Sequence, residues 1–469
     1  MVAIASYGAY IPVFRLGRQE MSQAWGIPGV PGERSVANAD EDSITMAIAA
    51  GFECMAGIDP ASVDGVYFAS TTPPYTEKQC ASVVASALDM RHDIFTADFT
   101  DSVRAATVAM RAACDAIESG SAKRVLVVAA DNRPAEPETM WEQLLGDGGA
   151  AFLLSADGPA TVRGFQSVTS EVIGPWRRSS DRYVRAFEPK LDTQYGYMAS
   201  MLAVAKALAQ KEGVGPKDLS KGVFSAGDPR AHVGLGRQLG LEMPQIQDTG
   251  FLLLGNTGTP QVLMMLAAAL DAAKAGDKLL VANYGDGADA FLVEVKDAFP
   301  AVPGKRSLQT YLMTKRMLPN YNSYVSFRKL MDRDRFVPKS SPVIYWRDSK
   351  MELALYGSRC RKCGTVQYPP PRVCVQCGTK DELDEAKLSH KGTVFTFTLD
   401  HLVGGEYLNT PVPRVVADLE GGGRTFLQMT DCDPKEVSIG MTVELTLRCL
   451  HEGAGFHNYY WKCQPVRGG

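Results

Sequence analysis

The sequence predicts an α/β region with an internal repeat, followed by a small all-β region. Apolar runs alternate with helical segments through residues 1–297, as expected for a sheet whose faces are covered by helices. Two stretches in this region, 105–131 and 259–286, resemble each other. Beyond residue 386, short alternating runs are separated by glycine-rich turns, which is typical of a small OB-type barrel. A chain of 469 residues is long enough for several such domains.

Six apolar runs in the first region are predicted strands: YGAYIPV, DGVYFAST, KRVLVVAADNR, GAAFLLS, KGVFSAG and DKLLVANYGDG. Four C-terminal segments predict about five further strands: KGTVFTFTLDH, PRVVADLEGGGRTFLQMTD, MTVELTLRCL and NYYWKCQPV. Between these groups lies a basic, aromatic and proline-punctuated stretch, which we interpret as a packed helical arm. The predicted segments are 1–160 and 161–297 for the two α/β halves, 298–345 for the arm, 346–385 for a cysteine-rich ribbon and 386–469 for the barrel.

The two similar stretches indicate a duplicated helix-strand unit. Each has an alanine-rich helix with an Asp five residues before a Gly, at Asp115 and Gly120 and again at Asp271 and Gly276. A basic residue and a strand of the buried type follow in both. We therefore expect the two helices to be related by a pseudo-twofold axis.

Both helix starts carry residues of the capping type. Thr259 is predicted to be the N-cap of the second helix, with Pro260 at the first helical position. Thr100, Asp101 and Ser102 precede the first helix in the same way. Helix N-termini present N–H groups and partial positive charge, which suit a developing oxyanion.

Composition argues for small-molecule chemistry in the cytoplasm. The formal net charge is −4 and no Lys/Arg block occurs, so no nucleic-acid partner is expected. No apolar run approaches the roughly 20 residues that a bilayer span needs, and the first residues lack a signal-peptide pattern. We expect a soluble cytoplasmic protein without a membrane partner.

Four of the ten cysteines form two C-x-x-C pairs that predict a metal site. The predicted ligands are Cys360, Cys363, Cys374 and Cys377. Four thiolates in two knuckles suit structural zinc and leave no open position for catalysis. Iron and a metal-free ribbon are the alternatives.

Two glycine-containing loops predict a substrate site in the second half. Leu254–Gly258 reads LGNTG before the repeated helix, and Tyr284–Gly287 reads YGDG after the repeated strand. Asn256 can donate to a carbonyl oxygen, and glycines let backbone N–H groups approach a substrate. Either loop alone is also consistent with an ordinary turn.

Other candidates have structural alternatives. His232 lies at the start of a predicted helix and is either catalytic or merely a surface or capped histidine. Cys80 and Cys114 fall inside apolar helical runs and are interpreted as small hydrophobic residues. A cluster of aromatic and basic residues suits an acyl pocket, a phosphate site or a dimer surface; it contains Arg182, Tyr183, Arg185, Tyr195 and Tyr197.

Together, the duplicated halves, GNTG, YGDG and the strand GDGGAAFLL resemble the thiolase superfamily, and among its branches the 3-hydroxy-3-methylglutaryl-CoA synthase-like proteins. The resemblance covers residues 1 to 297. The remainder is similar to the partner proteins of such enzymes, which carry a rubredoxin-like zinc ribbon and an OB fold. The resemblance implies duplicated αβαβα layers, coenzyme A thioester substrates, carbon–carbon bond chemistry and a homodimer formed through the thiolase-like part.

The catalytic set that the resemblance implies is not present in this sequence. The position of the nucleophilic cysteine falls on Val103, with Ser102 beside it, and that of the glutamate falls on Thr71. The histidine position falls near Ser225, whereas Asn256 matches the asparagine of the family. A valine cannot attack a thioester, and a serine hydroxyl needs a base. The resemblance therefore leaves a covalent acyl-enzyme in doubt.

Three functions follow as hypotheses. The first is aldol or retro-aldol chemistry on a β-hydroxyacyl-CoA, with a tyrosine, Asp228, Asp286 or His232 as the base. The second is a Claisen-type acyltransferase using Ser102, Cys80 or Cys114. The third is a non-catalytic acyl-CoA-binding scaffold for a thiolase. The candidate catalytic residues are Asn256, Ser102, His232 and Asp286, and the candidates for binding substrate or an oxyanion are Gly285, Gly287 and Thr71.

Overall fold

The computed structural model describes residues 1–332, 339–402 and 410–468. They form two compact units. The α/β unit comprises Met1–Ala37, Asp42–Ala85 and Met90–Tyr324, and the β-rich unit comprises Asn38–Glu41, Ser86–Asp89 and the chain from Val325 onward. The predicted arm, 298–345, is thus divided between them. Parts of the predicted arm (333–338) and barrel (403–409 and 469) lie outside the described residues.

The α/β unit contains twelve strands: β1 Val2–Tyr10, β2 Phe14–Gly17, β3 Glu33–Val36, β4 Gly65–Ala69, β5 Phe95–Phe99, β6 Arg124–Asp131, β7 Gly148–Ser155, β8 Ala160–Thr169, β9 Lys221–Phe224, β10 Lys278–Tyr284, β11 Gly287–Val295 and β12 Arg316–Met317. The helices up to Phe327 are α1 Arg18–Trp25, α2 Ser43–Met55, α3 Cys80–Ala87, α4 Ala105–Glu118, α5 Met140–Leu144, α6 Pro189–Leu191, α7 Ala199–Glu212, α8 Pro229–Gln238, α9 Phe251–Leu254, α10 Gln261–Asp271, α11 Leu308–Met313 and α12 Tyr321–Phe327. A π-helical turn, Asp192–Met198, joins α6 to α7.

Nine of these strands form one sheet in the order β5-β4-β6-β7-β1-β8-β11-β10-β9. The strand order is similar in the two directions from the centre of the sheet. Strands β7 and β6 follow β1 on one side, and the corresponding strands β11 and β10 follow β8 on the other. The halves meet where β1 pairs with β8 over only three residues, Val2–Ile4. The similar sequence stretches thus occupy matching places, and the predicted duplicated, thiolase-like α/β fold is confirmed.

The apolar runs form strands that are buried on both faces of the sheet. In β6, Val125 to Ala130 are all fully buried, as expected for a strand covered on both faces. Helix α10 is also buried at nearly every position and packs against strands of both halves, including β7 and β9. A helix that is apolar all round belongs inside the protein. It therefore lies in the middle layer.

The predicted helix caps differ from the observed ones. Helix α4 begins at Ala105, with Arg104 as N-cap and no side-chain capping bond. Helix α10 begins at Gln261 with Pro260 as N-cap, and the Thr259 hydroxyl has no partner among the residues the structure describes. Neither predicted cap is formed: the Thr259 N–H donates to Asp131, and the Ser102 hydroxyl accepts from the N–H of Arg104, which precedes the helix.

The β-rich unit contains helices α13 Pro342–Arg347 and α14 Ser349–Glu352 and strands β13 Tyr356–Cys360, β14 Val366–Gln367, β15 Leu383–Lys387, β16 Lys391–Asp400, β17 Val412–Leu419, β18 Arg424–Gln428, β19 Thr442–Gly453 and β20 Phe456–Pro465. One sheet has the order β14-β13-β15, and a five-stranded sheet has the order β18-β17-β16-β19-β20. The ribbon and the five barrel strands match the prediction. Within the described ranges, no helix combines the length and apolar character that crossing a membrane requires.

A buried ionic cluster centred on Arg448 of β19 stabilises the β-rich unit. The Arg448 guanidinium contacts Asp431 at 2.6 Å, Glu41 at 2.9 Å and Asp40 at 3.1 Å. Lys462 of β20 lies 2.8 Å from Asp40. Burial alone would raise the pKa of Asp40, but the two cations hold it below its usual range. The stability that Asp40 contributes is therefore present at neutral pH and lost as the pH falls below the ordinary aspartate range.

Arg448→Met is expected to destabilise this unit by about 3–5 kcal/mol, because it leaves several buried carboxylates without their cation. Denaturant unfolding of the full chain measures this loss. Arg372→Met is the matched control, since its pair with Asp381 is exposed and is expected to contribute less than about 1 kcal/mol. Equal effects of the two substitutions would contradict the central role of Arg448.

Candidate functional site

A cavity of about 670 Å³ lies in the α/β unit. Its wall is built largely from residues that follow or end β4, β5, β6, β9 and β10, where parallel strands present their carboxyl ends. This edge of a parallel sheet is a common place for ligands in α/β proteins. The GNTG loop and the segment between β8 and α7 complete the wall. Both halves of the fold therefore contribute.

The structure brings five of the seven predicted non-metal residues to this cavity: Thr71, Ser102, Asn256, Gly285 and Asp286. His232 and Gly287 are not part of the wall. The His232 ring is buried against Phe224, its Nε2 lies 2.9 Å from the Gln247 carbonyl oxygen, and burial lowers its pKa. This placement fits a packed core histidine better than the predicted catalytic role.

The position implied for a nucleophile carries no thiol. Val103 and Ser102 line the cavity, and the Ser102 hydroxyl accepts a hydrogen bond from the Arg104 N–H at 3.3 Å. Among the described residues, no cysteine lines the cavity. Cys80 and Cys114 are buried, and burial raises the pKa of each to about 12. Neither has the thiolate character that nucleophilic catalysis needs.

The glycines of YGDG serve close packing. A Cβ on Gly285 would lie 2.6 Å from the Ser102 hydroxyl oxygen, so only glycine lets these two loops meet. The Gly285 N–H donates to the Gly287 carbonyl oxygen at 2.9 Å. Gly287 has φ 114°, and its Cβ would lie 2.1 Å from the Val168 carbonyl oxygen. The geometry therefore gives no support to the predicted donation by Gly285 or Gly287 to an oxyanion.

A buried carboxylate, Asp131 at the end of β6, organises one side of the cavity. It accepts hydrogen bonds from the backbone and hydroxyl groups of Thr71 and Thr72, from the Ser70 hydroxyl and from the Thr259 N–H, at 2.8 to 3.1 Å. The Thr71 hydroxyl is thus directed at Asp131, in a positioning contact. Because Thr259 precedes α10, one carboxylate joins loops from both halves.

Asn256 is held firmly beside this carboxylate. Its side-chain oxygen accepts from the Gly258 N–H at 2.8 Å, and its Nδ2 donates to the Ala226 carbonyl oxygen at 3.2 Å. An amide nitrogen carries two hydrogens. One remains for a ligand oxygen, which agrees with the donor role predicted for Asn256.

The wall of the cavity also contains a hydrogen-bonded pair, Tyr284 and Asp192, that the sequence did not predict. Tyr284, the last residue of β10, donates its hydroxyl proton to Asp192 Oδ1 at 2.5 Å. Burial raises the pKa of Asp192; the Tyr284 hydrogen bond lowers it and the charge of Asp286 raises it further. Burial and Asp192 together raise the pKa of Tyr284. The pair thus combines a carboxyl group whose pKa is raised with a phenol whose pKa is raised, joined by one hydrogen bond.

The π-helical turn provides the space for this pair. A Cβ on Gly196 would lie 2.0 Å from the Tyr284 hydroxyl oxygen and 2.9 Å from Asp192 Oδ1. A Cβ on Gly174 would lie 2.7 Å from the same Asp192 oxygen. Short π-helical segments occur frequently at functional sites. YGDG, which contains Tyr284, and the tyrosines of this turn were identified from the sequence, but Tyr284 was not paired with Asp192.

Tyr197, from the predicted aromatic cluster, also reaches the cavity. Its ring stands edge-on to Tyr284 with 5.6 Å between centroids. Its hydroxyl is buried without a hydrogen-bond partner among the described residues. Tyr195, on the same turn, is 58 % exposed and does not line the cavity.

The four predicted metal ligands of the β-rich unit converge. All four sulfurs lie within 4.8 Å of one another, and the Cys360–Cys377 and Cys363–Cys374 pairs are 3.7 and 3.6 Å apart. Four sulfurs at about 2.3 Å from a central zinc ion are separated by about 3.8 Å in a tetrahedron. The donor set therefore fits zinc. Gly364 and Gly378, both with positive φ, close the two knuckles with matching N–H bonds to the Cys360 and Cys374 carbonyl oxygens.

Three protein-family models match separate parts of the chain. Residues 97–171 match the model of 3-oxoacyl-[acyl-carrier-protein] synthase III. Residues 347–383 match the ChsH2 rubredoxin-like zinc ribbon domain, and residues 385–448 match the ChsH2 C-terminal OB-fold domain. The chain therefore contains a zinc ribbon with a four-cysteine site.

The chain has relatives among hydroxymethylglutaryl-CoA synthases. Hydroxymethylglutaryl-CoA synthase of Pyrococcus horikoshii is 32% identical over 341 residues, covering 71% of this chain and 93% of the relative. The enzyme of the same name from Archaeoglobus fulgidus is 31% identical, covering 70% and 99%. A structure of MvaS in complex with 3-hydroxy-3-methylglutaryl coenzyme A superposes with a TM-score of 0.63 at 18% identity, covering 72% of this chain and 94% of that one.

Proposed function

Because the chain belongs to the hydroxymethylglutaryl-CoA synthase family of acyl-CoA enzymes, we propose that it makes or breaks a carbon–carbon bond by aldol or retro-aldol chemistry. The substrate is a β-hydroxyacyl-CoA, and no covalent acyl-enzyme forms. The observation that carries the proposal is the hydrogen bond from Tyr284 to Asp192 in the wall of the cavity. Val103, which stands where the resemblance implies a nucleophilic cysteine, is consistent with it.

In the cleavage direction, Tyr284 takes the proton of the β-hydroxyl group as it passes its own proton to Asp192. The bond between the α- and β-carbons then breaks, and its electron pair moves to the thioester as an enolate. The β-carbon leaves as a ketone or aldehyde. Tyr284 next donates a proton to the α-carbon and recovers its own from Asp192. The products are an acyl-CoA and a carbonyl compound, and both residues return to their starting states.

Enolate stabilisation falls to Asn256. Its second Nδ2 hydrogen is directed by the two hydrogen bonds that hold the amide, so the donor needs no reorganisation during the reaction. A preorganised donor of this kind contributes about 3 kcal/mol to lowering the barrier. Asp286 also lines the cavity, and its negative charge acts on the Asp192 pair. Ser102 has a backbone contact and no assigned proton acceptor, so it is not part of the proposed chemistry.

The decisive experiment offers the enzyme a series of 3-hydroxyacyl-CoA thioesters. We expect liquid chromatography with mass spectrometry to detect stoichiometric release of a shortened acyl-CoA and a carbonyl compound. The intact protein mass should stay unchanged during turnover, and iodoacetamide should leave the activity intact. Stable addition of an acyl group to the chain would instead support a Claisen-type acyltransferase, which family membership favours as the second candidate. Binding without turnover of any thioester would leave only the scaffold role.

We further infer a cytoplasmic homodimer formed through the α/β unit, in line with the resemblance. Size-exclusion chromatography with light scattering tests the dimer, and a monomeric mass at micromolar concentration would contradict it.

A further inference from the structure

Two buried carboxamides in the cavity wall have no part in the proposed chemistry. Gln261, the first residue of α10, and Asn283, near the end of β10, both line the cavity. They are 3 % and 2 % exposed. A buried amide costs free energy unless its oxygen and its N–H groups are hydrogen-bonded. The contacts of these two side chains therefore indicate which groups of a ligand can bind beside them.

The nitrogen of each amide is turned toward a backbone carbonyl oxygen. Gln261 Nε2 donates to the Ala226 carbonyl oxygen at 3.2 Å, and Asn283 Nδ2 donates to the Val103 carbonyl oxygen at 3.2 Å. A longer contact joins Asn283 Nδ2 to the Thr107 hydroxyl oxygen at 3.5 Å. Because a carbonyl oxygen can only accept, both nitrogens must face these partners and both amide oxygens must face away from them. The backbone thus sets the orientation of the two amides.

Each amide keeps hydrogen-bonding capacity for a ligand. Among the residues that the structure describes, neither Gln261 Oε1 nor Asn283 Oδ1 has a hydrogen-bond partner. Gln261 Nε2 also has a second hydrogen, since only one is used at Ala226. The two side chains therefore offer two acceptors and one donor, and none of these groups is charged.

The contacts of the two amides place them beside the acyl chain. Gln261 and Asn256 donate to the same Ala226 carbonyl oxygen, each at 3.2 Å, so their amides lie side by side. Asn283 immediately precedes Tyr284 at the end of β10. In the proposed function, Asn256 binds the thioester oxygen and Tyr284 takes the β-hydroxyl proton. The unpaired groups of Gln261 and Asn283 therefore border the carbons between and beyond these two points.

A hydroxyl group suits these unpaired groups better than an alkyl, carboxylate or ammonium group does. An alkyl group displaces water and leaves both amide oxygens unpaired, which is costly. A carboxylate has no hydrogen to donate to Gln261 Oε1 or Asn283 Oδ1. An ammonium group donates but cannot accept from Gln261 Nε2. A hydroxyl group both donates and accepts.

We infer that Gln261 and Asn283 bind hydroxyl groups of the acyl chain, so that the substrates of this site are acyl-CoA thioesters with at least one hydroxyl group besides the β-hydroxyl. Such a hydroxyl group donates to an amide oxygen and accepts from Gln261 Nε2. The β-hydroxyl group is not available for this contact, because its proton goes to Tyr284 in the proposed reaction. The inference rests on the proposed function for the place of the acyl chain, but the binding preference is measured without turnover.

The test uses two matched pairs of thioesters in which a hydroxyl group replaces a methyl group of similar size. The first pair is 3,4-dihydroxybutyryl-CoA and 3-hydroxypentanoyl-CoA. The second pair is 2,3-dihydroxybutyryl-CoA and 2-methyl-3-hydroxybutyryl-CoA. Isothermal titration calorimetry is performed on the full-length protein carrying Tyr284→Phe, which prevents turnover. In at least one pair the dihydroxy thioester should bind about ten- to hundred-fold more tightly, because the methyl group leaves a buried amide unpaired.

Gln261→Met, added to the same protein, should remove most of this preference. Methionine keeps the length of the side chain and loses both amide groups, so the thioesters with a methyl group should bind as before. Gln210→Met is the matched control, because Gln210 is exposed on α7 and does not line the cavity. It should keep the full preference.

The outcomes separate the inference from the proposed reaction. Equal binding within both pairs by the protein with Gln261 in place would overturn the inference, whether or not Gln261→Met folds. An equal loss of affinity for all four thioesters and for free coenzyme A in Gln261→Met would also overturn it, since the amide would then bind the pantetheine arm. A hydroxyl preference without cleavage of any thioester by the unmodified protein would support the inference and refute the reaction. Cleavage without a preference would do the reverse.

Discussion

Tyr284→Phe is expected to lower kcat for retro-aldol cleavage by about two to four orders of magnitude, the usual contribution of a positioned acid–base group. The substitution removes only the hydroxyl oxygen that contacts Asp192 at 2.5 Å. The ring remains, so its edge-on packing with Tyr197 and the fold are preserved. KM should change little, because the lost proton transfer belongs to the transition state.

Tyr195→Phe is the matched control for this experiment. Tyr195 lies on the π-helical turn that carries Asp192, but it is exposed and away from the cavity. Its loss should leave turnover unchanged. A Tyr284→Phe enzyme that retained full kcat would remove Tyr284 from the proposed mechanism.

The pH profile gives an independent check on Asp192. The base works in its ionised form, and burial raises the pKa of this carboxyl above its usual value of 3.8. Activity should therefore fall on the acid side at a pH above the ordinary aspartate range. Asp286→Asn removes a nearby negative charge that raises the same pKa, so the acid limb should move to lower pH. A shift to higher pH, or none, would contradict the coupling.

Loss of zinc is expected to unfold the ribbon. Structural zinc sites contribute about 10–16 kcal/mol of apparent binding free energy to folding at neutral pH, and the ribbon has only two short strands besides β13 to hold it. The full-length protein should contain one zinc per chain, measured by elemental mass spectrometry. Cys374→Ser should lose the metal and expose residues 356–387 to hydrogen exchange.

Cys432→Ser is the matched control, since Cys432 lies outside the four-sulfur cluster. It should keep one zinc per chain and native exchange protection in the ribbon. Full protection of the ribbon in metal-free Cys374→Ser would show that the fold of this module does not depend on zinc.

The elements that were predicted correctly are those whose local sequence pattern is compatible with only one kind of structure. The run VLVVAA of β6 is too apolar to face water, and the C-x-x-C pairs bring four thiolates together through local turns. Strand β8 was missed because its outer half, around Arg163 and Gly164, is polar and half-buried. Its pairing with β11 depends on partners distant in sequence, which no local pattern records.

Site residues in loops with recognisable sequences could be predicted from the sequence. Site residues that depend on contacts between distant parts of the chain could not. Asn256 and Thr71 lie in loops with recognisable sequences, and the structure brings both to the cavity. Asp192 is 92 residues from Tyr284 in the chain, and an exposed-looking run, KLDTQYG, gave no sign of their contact. The glycines of YGDG were recognised, but their role in close packing depends on Ser102 and Val168 across the fold.

The carboxylate of Asp131 also limits how far the two halves of the α/β fold can move apart at this cavity. It is fully buried and bonded at once to the loop after β4 and to Thr259 of the other half. Drawing the halves apart would strip donors from a buried negative charge, at a cost of about 1–3 kcal/mol or more for each group left unsatisfied. Widening along this seam is therefore disfavoured. If the cavity widens to admit a bulky thioester, we expect the segment between β8 and α7 to move. Trp176 and Arg177 of this segment line the cavity and are exposed.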